Sequence, residues 1–432
     1  MNYLALYLVI AVVVIALYMR RKQRISRANA SELQEALEAG LAEPASLHPV
    51  INPVACIGSG SCAKACPEQA LGIVGGKAVL VNAAACIGHG ACYAACPVDA
   101  IQLVFGTESR GIDIPHVSPN FETNVQGIFI AGELGGMGLI RKAAEQGRQA
   151  VEAIRKRSGG GKKAEFDVVI VGCGPAGLSA GLSCIEHKLR YKILEQEDSL
   201  GGAVYHYPRN KIAMTAPVQL ALIGKVKFGE VQKERLLEFW NSVMSKTGLR
   251  VAFREQMKDI QQSPDGSFVV KTDRHQYTGR SVLLTMGRRG TPRRLDVPGE
   301  ESPKVVYRLV DAAQYKGQKV LVVGGGNSAL EAAVSLSQEP GTSVILSYRG
   351  DGFSRVTKVN RQQVDEQQKK RRLRVLLNST VAHIEPESVT LEFAGKRERV
   401  ANDAVIVCAG GLLPTPLLRQ IGIEFETKFG TS

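Results

Sequence analysis

Residues 55–71, ACIGSGSCAKACPEQAL, return thirty positions later as ACIGHGACYAACPVDAI (85–101). Cys56, Cys62, Cys66 and Pro67 map onto Cys86, Cys92, Cys96 and Pro97, and a duplication at fixed period is a fold constraint before any residue is read in detail. Six of the nine cysteines lie in this repeat; the others, Cys173, Cys184 and Cys408, are scattered. Nine thiols in 432 residues are too few for a disulfide-stapled scaffold. Their spacing points to metal instead. A tight loop brings several thiolates around one centre, and glycines let backbone N–H groups approach it.

The repeat resembles the two-cluster ferredoxins of bacteria, whose run is C-x2-C-x2-C-x3-C-P with the fourth cysteine ligating the other cluster. The second cysteine of each run is replaced, by Ser59 in one copy and His89 in the other. The resemblance implies one iron–sulfur cluster on Cys56, Cys62 and Cys96, and another on Cys86, Cys92 and Cys66. Ser59 and His89 are candidate fourth ligands, and each site is 4Fe-4S with a non-cysteine ligand or 3Fe-4S with an empty corner. A zinc site or a domain without metal is the alternative, but a zinc ribbon has no reason to keep the crossed Cys-Pro spacing twice.

FDVVIVGCGPAGLSAGL (166–182) reads as a buried strand, a glycine-rich turn and a helix start. Gly172, Gly174 and Gly177, with Pro175 and Ala176 between them, let the backbone approach a pyrophosphate at the helix N-terminus. Glu195 ends the next strand, at the distance where an acid binds the adenosine ribose. KVLVVGGGNSALEAAVSL (319–336) repeats the device with Gly324, Gly326, Asn327, Ser328 and Ala329. The following strand ends in Ser347, Tyr348 and Arg349 with no acid, which favours NADPH, with NADH as the alternative.

VSPNFETNVQGIFIAGELGGMGLIRKAAEQGRQAVEAI (117–154) resembles the C-terminal FAD segment of thioredoxin-reductase-like flavoproteins through Thr123, Gly127 to Phe129, Ala131, Gly132 and Glu133. By that resemblance Glu133, in place of the family's aspartate, hydrogen-bonds the FAD ribityl chain. Gly135–Gly138 opens a helix whose dipole faces the flavin pyrimidine. Leu200-Gly201-Gly202 and Thr285-Met286-Gly287 match the same family, so Gly202 and Gly287 join the FAD set. In that family the segment ends the chain, whereas here it comes first, which implies a circular permutation. Residues 204–228 are similar to bacillithiol disulfide reductase-like flavoproteins, yet the cysteine of their G-P-C-G turn is Ala176 here. No C-x2-C or C-x4-C pair occurs in the flavoprotein part. His206 is a candidate neighbour of the flavin, with packing as its alternative.

Residues 3–19, YLALYLVIAVVVIALYM, carry no charge and are followed by Arg20, Arg21, Lys22, Arg24 and Arg27. The pattern predicts a single-pass cell-membrane anchor with the soluble domains in the cytoplasm. A short amphipathic helix capped at Ser31 follows. The division expected is an anchor (1–20), a juxtamembrane linker (21–49), a ferredoxin-like domain (50–106) and the permuted FAD segment (107–157). A linker (158–164), an FAD-binding domain (165–300) and an NAD(P)H-binding domain (301–432) complete it. The fold class is α/β, two Rossmann-like domains plus a small α+β ferredoxin domain and one N-terminal transmembrane helix.

NADPH gives two electrons at once and iron–sulfur clusters take one, so FAD between them has a physical logic. The expected function is a membrane-anchored NAD(P)H-dependent flavo-iron–sulfur oxidoreductase serving a redox partner protein or quinone, with a homodimer as one possible state. No residue is expected to act as acid, base or nucleophile. A disulfide reductase with structural clusters and a membrane-tethered redox sensor are the rival readings. The formal charge of +13 includes the basic residues after the anchor and the run Lys369–Arg372 with Arg374. With one tryptophan and few aromatics there is no stacking platform for nucleic acid.

Overall fold

The computed structural model describes all residues except 1–2, 39–43, 45–46, 87, 89, 109–110, 137–138, 158–162, 208, 210–211, 215–216, 289–291, 354–355, 413 and 431–432. His89 and most of the expected 158–164 linker therefore lie outside the described residues. Two compact units emerge. One comprises Met1–Ile112, Gly350–Asp365 and Lys428–Ser432, the other Asp113–Arg349 and Glu366–Thr427.

In the first unit α1 (Tyr3–Glu38) is one uninterrupted helix of 36 residues. The chain does not break at Ser31, so the expected second, separately capped helix is absent. Alanine, arginine, glutamine and glutamate through 20–38 propagate the helix well, and nothing before Glu38 stops it. Among the described residues no helix is long and apolar enough to cross a membrane, so the expected transmembrane helix is not supported. The continuous described side chains of its apolar run, Tyr7 to Met19, are exposed. Further along, Asn29 donates to the carbonyl of Ile73 (3.0 Å) and Ser26 accepts from the N–H of Gly75 (3.2 Å).

The sequence repeat folds as a structural repeat. β1 (His48–Ile51) precedes α2 (Ser61–Ala65) and the hairpin β2 (Leu71–Val74) and β3 (Lys77–Leu80); α3 (Ala91–Ala94) and β4 (Ile101–Val104) follow. β2 pairs antiparallel with β3, and β1 with β4. Gly60 (φ 76°) and Gly90 (φ 70°) cap the two short helices in the left-handed region. Thirty residues apart again, Gln69 (φ 51°) and Asp99 (φ 47°) both hold a positive φ after their Cys-Pro. The period thus reaches the backbone dihedrals.

In the second unit, β5 (Ile112–Pro115) pairs with Phe425–Lys428. β6 (Ile128–Ile130) leads through Glu133 to α4 (Ile140–Lys156). β7 (Phe166–Val171), α5 (Pro175–Glu186) and β8 (Tyr191–Leu194) form the first strand–turn–helix–strand unit. Their sheet runs Val251–Ala252, β8, β7, Gln276–Leu284, Phe268–Thr272, Met257–Gln262, with β6 also parallel to Gln276–Leu284. Four consecutive residues of β7 are buried, as a strand covered on both faces requires. A second sheet is parallel throughout, in the order Val305–Val306, Ala404–Val407, Lys319–Val323, Ser343–Ser347, Leu373–Leu376. The segment 113–157 is thus built into the dinucleotide-binding unit. A Cβ on Gly147 of α4 would stand 2.1 Å from the carbonyl oxygen of Ala176 in α5, so only glycine permits that helix approach.

Candidate cofactor sites

The six repeat thiols sort across the repeat. Cys66, Cys86 and Cys92 line one cavity together with Glu68, Gly88 and Gly90. Burial first, then the neighbouring Cys86 and Cys66, push the Cys92 thiol up to about 11; Cys86 is raised by burial and by Cys66. Cys62 is raised by burial and by Cys56 and Cys96. Cys66, Cys86 and Cys92 thus meet across the repeat in one cavity, while Cys56 and Cys96 are the thiols that act on Cys62. Buried and half-buried thiols that oppose one another's ionisation fit a cationic centre that would take them as thiolates. Among the described residues no group of three His, Cys, Asp or Glu is placed to hold a single metal ion. Ser59 is exposed, and its hydroxyl accepts a long bond from the N–H of Ser61 (3.4 Å).

At the first dinucleotide turn, a Cβ on Gly177 would lie 1.9 Å from the carbonyl oxygen of Gly172. One on Gly172 would meet the backbone of Thr285 and Met286 within 3 Å. Gly202 approaches Gly174 so closely that its Cβ would be 3.0 Å from the Gly174 Cα. These contacts leave no room for side chains and present bare backbone at the N-terminus of α5, where Pro175 occupies the first turn. Ala176 is buried. Glu195 is buried at the end of β8 and accepts from the N–H of Cys173 (2.7 Å) and Glu197 (3.1 Å). Burial nonetheless pushes its carboxyl above the usual range. Its remaining acceptor capacity fits the two hydroxyls of a ribose.

The segment 113–157 meets this site. A Cβ on Gly132 (φ 84°) would touch that of Ala176 at 3.1 Å, and one on Gly287 would lie 3.8 Å from Oε2 of Glu133. The residues would hold FAD as the sequence implies. Two supports escaped the sequence reading. Gln146 of α4 accepts from the Gly132 N–H at 2.8 Å, and the Thr285 hydroxyl donates to the carbonyl oxygens of Val171 and Gly172 (3.0 and 2.8 Å). Thr285 was visible as part of the Thr-Met-Gly stretch; nothing marked Gln146.

At the second turn, Gly324 (φ 148°) lies so close to Cys408 that a Cβ would be 2.4 Å from its carbonyl oxygen. An added Cβ on Gly326 meets nothing within 4 Å. The helix Asn327–Gln338 starts there, carrying Asn327 and Ser328 in its first turn with Ala329 fully buried. At the end of the neighbouring strand Ser347 is bonded to Ser379 (2.7 Å), and Arg349 is exposed. The arrangement fits a nicotinamide dinucleotide.

Two of the three remaining thiols are poor redox groups. Cys173 and Cys184 are fully buried, which raises both, Cys184 to about 12. His206 lies 3.2 Å from Glu197 and also contacts Arg308, an ion-pair setting on the protein's own groups.

Residues 169–430 match the family model described as pyridine nucleotide-disulphide oxidoreductase. The chain belongs to that family. Residues 48–97 of this oxidoreductase match a 4Fe-4S dicluster domain. It is similar to bacilliredoxin reductase Bdr of Bacillus subtilis, 25% identical over 269 residues, covering 61% of this chain and 82% of that protein. The ferredoxin–NADP reductase of Pediococcus pentosaceus is 31% identical over 239 residues, 53% of this chain and 68% of that one. That of Ignicoccus hospitalis is 30% identical, but the chain spans only 57% of its length. Among solved structures, bacillithiol disulfide reductase Bdr from Bacillus cereus shares the fold, with a TM-score of 0.52 and 22% identity over 60% of this chain and 82% of that one. The chain is an FAD-dependent NAD(P)H oxidoreductase with an iron–sulfur domain.

Proposed function

We propose that this oxidoreductase couples NADPH to one-electron exchange with an external redox partner, with FAD and two 4Fe-4S-type clusters as its carriers. The crossed pairing of the six thiols carries the reading. Bound FAD supplies the conversion between hydride and single-electron chemistry. The chain supplies position: backbone at Gly172–Gly177 and the Glu195 carboxylate for FAD, Gly324–Ala329 and exposed Arg349 for NADPH, cysteine thiolates for iron. Ferredoxin–NADP reductase relatives agree with a ferredoxin-like acceptor or donor. Anaerobic mixing with NADPH is expected to bleach the flavin and raise a cluster EPR signal within turnover time. A bleached flavin with an unchanged cluster spectrum would sink the proposal.

Disulfide reduction is the second reading, supported by the Bdr relatives. The burial of Cys173 and Cys184, and Ala176 at the turn, weigh against it. We also read 112–157 as the family's chain-terminal FAD segment moved forward, supported by β6 beside Gln276–Leu284 and by β5 on Phe425–Lys428.

The exposed apolar residues of α1, Tyr7 to Met19, support attachment to a membrane surface, with the basic residues from Arg20 onward at its headgroups. Removal of residues 1–20 is expected to shift the protein from the membrane to the soluble fraction, NADPH oxidation being kept. Unchanged fractionation would end that reading.

A further inference from the structure

The two cluster sites are related by the repeat in their ligands but not in their charges. Around the first set, Lys77 Nζ donates to the carbonyl oxygen of Cys56 (2.6 Å), and the next residue, Ala78, donates its N–H to Cys56 Sγ (3.4 Å). The sheet register puts His48, opposite Val104, in the place that Lys77 holds opposite Val74, and beside it the backbone of Leu47 reverses the polarity. Cys86 Sγ lies 3.9 Å from the carbonyl oxygen of Leu47, to which its thiol donates. Once that thiol is an iron-bound thiolate the proton is gone, and an oxygen lone pair faces the sulfur. The cavity of the second set also contains half-buried Glu68, whose charge already opposes ionisation of Cys86. The counterpart of Glu68 beside Cys96 is Val98.

Backbone donors are shared unevenly between the two sets. Backbone N–H groups of Ala63 and Tyr93 serve Cys62 and Cys92 alike, and that of Gly88 serves Cys86. Cys96 Sγ accepts from the N–H of Ala100 (3.3 Å). Lys64 and Asp99 are exposed; what distinguishes Lys77, also exposed, is its bond to the Cys56 carbonyl. The first set thus has the N–H groups of Ala63, Ala78 and Ala100 and the cation of Lys77, and the second has those of Tyr93 and Gly88, the Leu47 carbonyl and the anion of Glu68.

Reduction adds an electron to a cluster, so positive charge and N–H bonds raise its potential, while negative charge and facing oxygens lower it. Resting on the two-cluster reading above, we propose that Lys77 and Glu68 set the order of the two potentials. The cluster on Cys56, Cys62 and Cys96 is the higher, and the one on Cys86, Cys92 and Cys66 the lower. Within the domain an electron then runs from the second to the first, with no net proton or bond change, and the first is its resting place. Lys77 and Glu68 are positioning residues for charge, not ligands.

The test is an EPR-monitored redox titration of the full-length, cluster-loaded protein. The wild type is expected to show two one-electron midpoints separated by at least a tenfold equilibrium ratio, 59 mV. Lys77→Gln should lower only the upper midpoint, and Glu68→Gln should raise only the lower one. Val98→Glu, on an exposed position, should lower the upper midpoint without touching either native charge. Coincident wild-type midpoints, or a Lys77→Gln shift confined to the lower wave, would overturn the assignment. Iron content separates the two levels of failure. About four iron atoms per chain instead of about eight would refute the two-cluster reading itself, whereas full iron with the wrong order refutes the charge argument alone.

Discussion

Cys66→Ser is expected to destroy the cluster of Cys86 and Cys92 while leaving that of Cys56 and Cys62 intact. Cys66 is four residues from Cys62 and twenty from Cys86, so proximity along the chain predicts the opposite. Space decides it: Cys66 shares a cavity with Cys86 and Cys92 and raises both thiols. The prolines after Cys66 and Cys96 explain how. Each chain turns outward after its short helix, and the positive φ of Gln69 and of Asp99 completes the turn before the strand begins. Loss of one of few ligands leaves an iron corner to solvent, so about half the iron should be lost, roughly four atoms of eight. The remaining EPR signal should coincide with that of Cys92→Ser and differ from that of Cys62→Ser. A residual signal matching Cys62→Ser would mean that each run ligates its own cluster.

The cluster domain was legible in unusual detail because thiol spacing is a geometric requirement. Six side chains, two prolines and paired glycines must recur in order, and little else satisfies that pattern. Both dinucleotide turns were equally open to reading. Gly172, Gly177 and Gly324 are forced by backbone approaches under 3 Å, so the constraint is written in the residue type. The N-terminus was less so. The apolar run of residues 3–19 argued for a span, whereas the structure continues the same helix to Glu38 and ties its far end to the β2–β3 hairpin through Ser26 and Asn29. Those are two hydrogen bonds to backbone groups 44 and 49 residues away, and no local pattern announces them. Gln146 was illegible for the same reason. Its role depends on α4 packing back over the Gly132 turn, a tertiary fact carried by the small residues Gly147 and Ala176 rather than by Gln146 itself.

Gly177→Val and Gly326→Ala should fail in different ways, because their glycines answer different demands. At Gly177 the obstacle is the protein. A Cβ would stand 1.9 Å from the Gly172 carbonyl oxygen and 2.8 Å from the Thr285 hydroxyl that braces the turn. Backbone cannot yield as a side-chain tip would, so α5 must move away from β7 and carry its N-terminal N–H groups out of place. Overpacking of this kind costs about 1–3 kcal/mol, which at about 1.4 kcal/mol per tenfold means roughly a tenfold to hundredfold loss of FAD affinity. Purified Gly177→Val should elute largely without its 450 nm absorbance and melt earlier than the wild type. At Gly326 the protein offers no obstacle, since nothing lies within 4 Å of an added Cβ and φ is −98°. What a methyl would meet there is the incoming pyrophosphate at the start of Asn327–Gln338. Gly326→Ala should therefore keep its flavin, its iron and its melting temperature while KM for NADPH rises about tenfold, consistent with about 1–2 kcal/mol of lost binding. If Gly326→Ala loses flavin, or Gly177→Val keeps it at wild-type occupancy, the two turns have been assigned to the wrong dinucleotides.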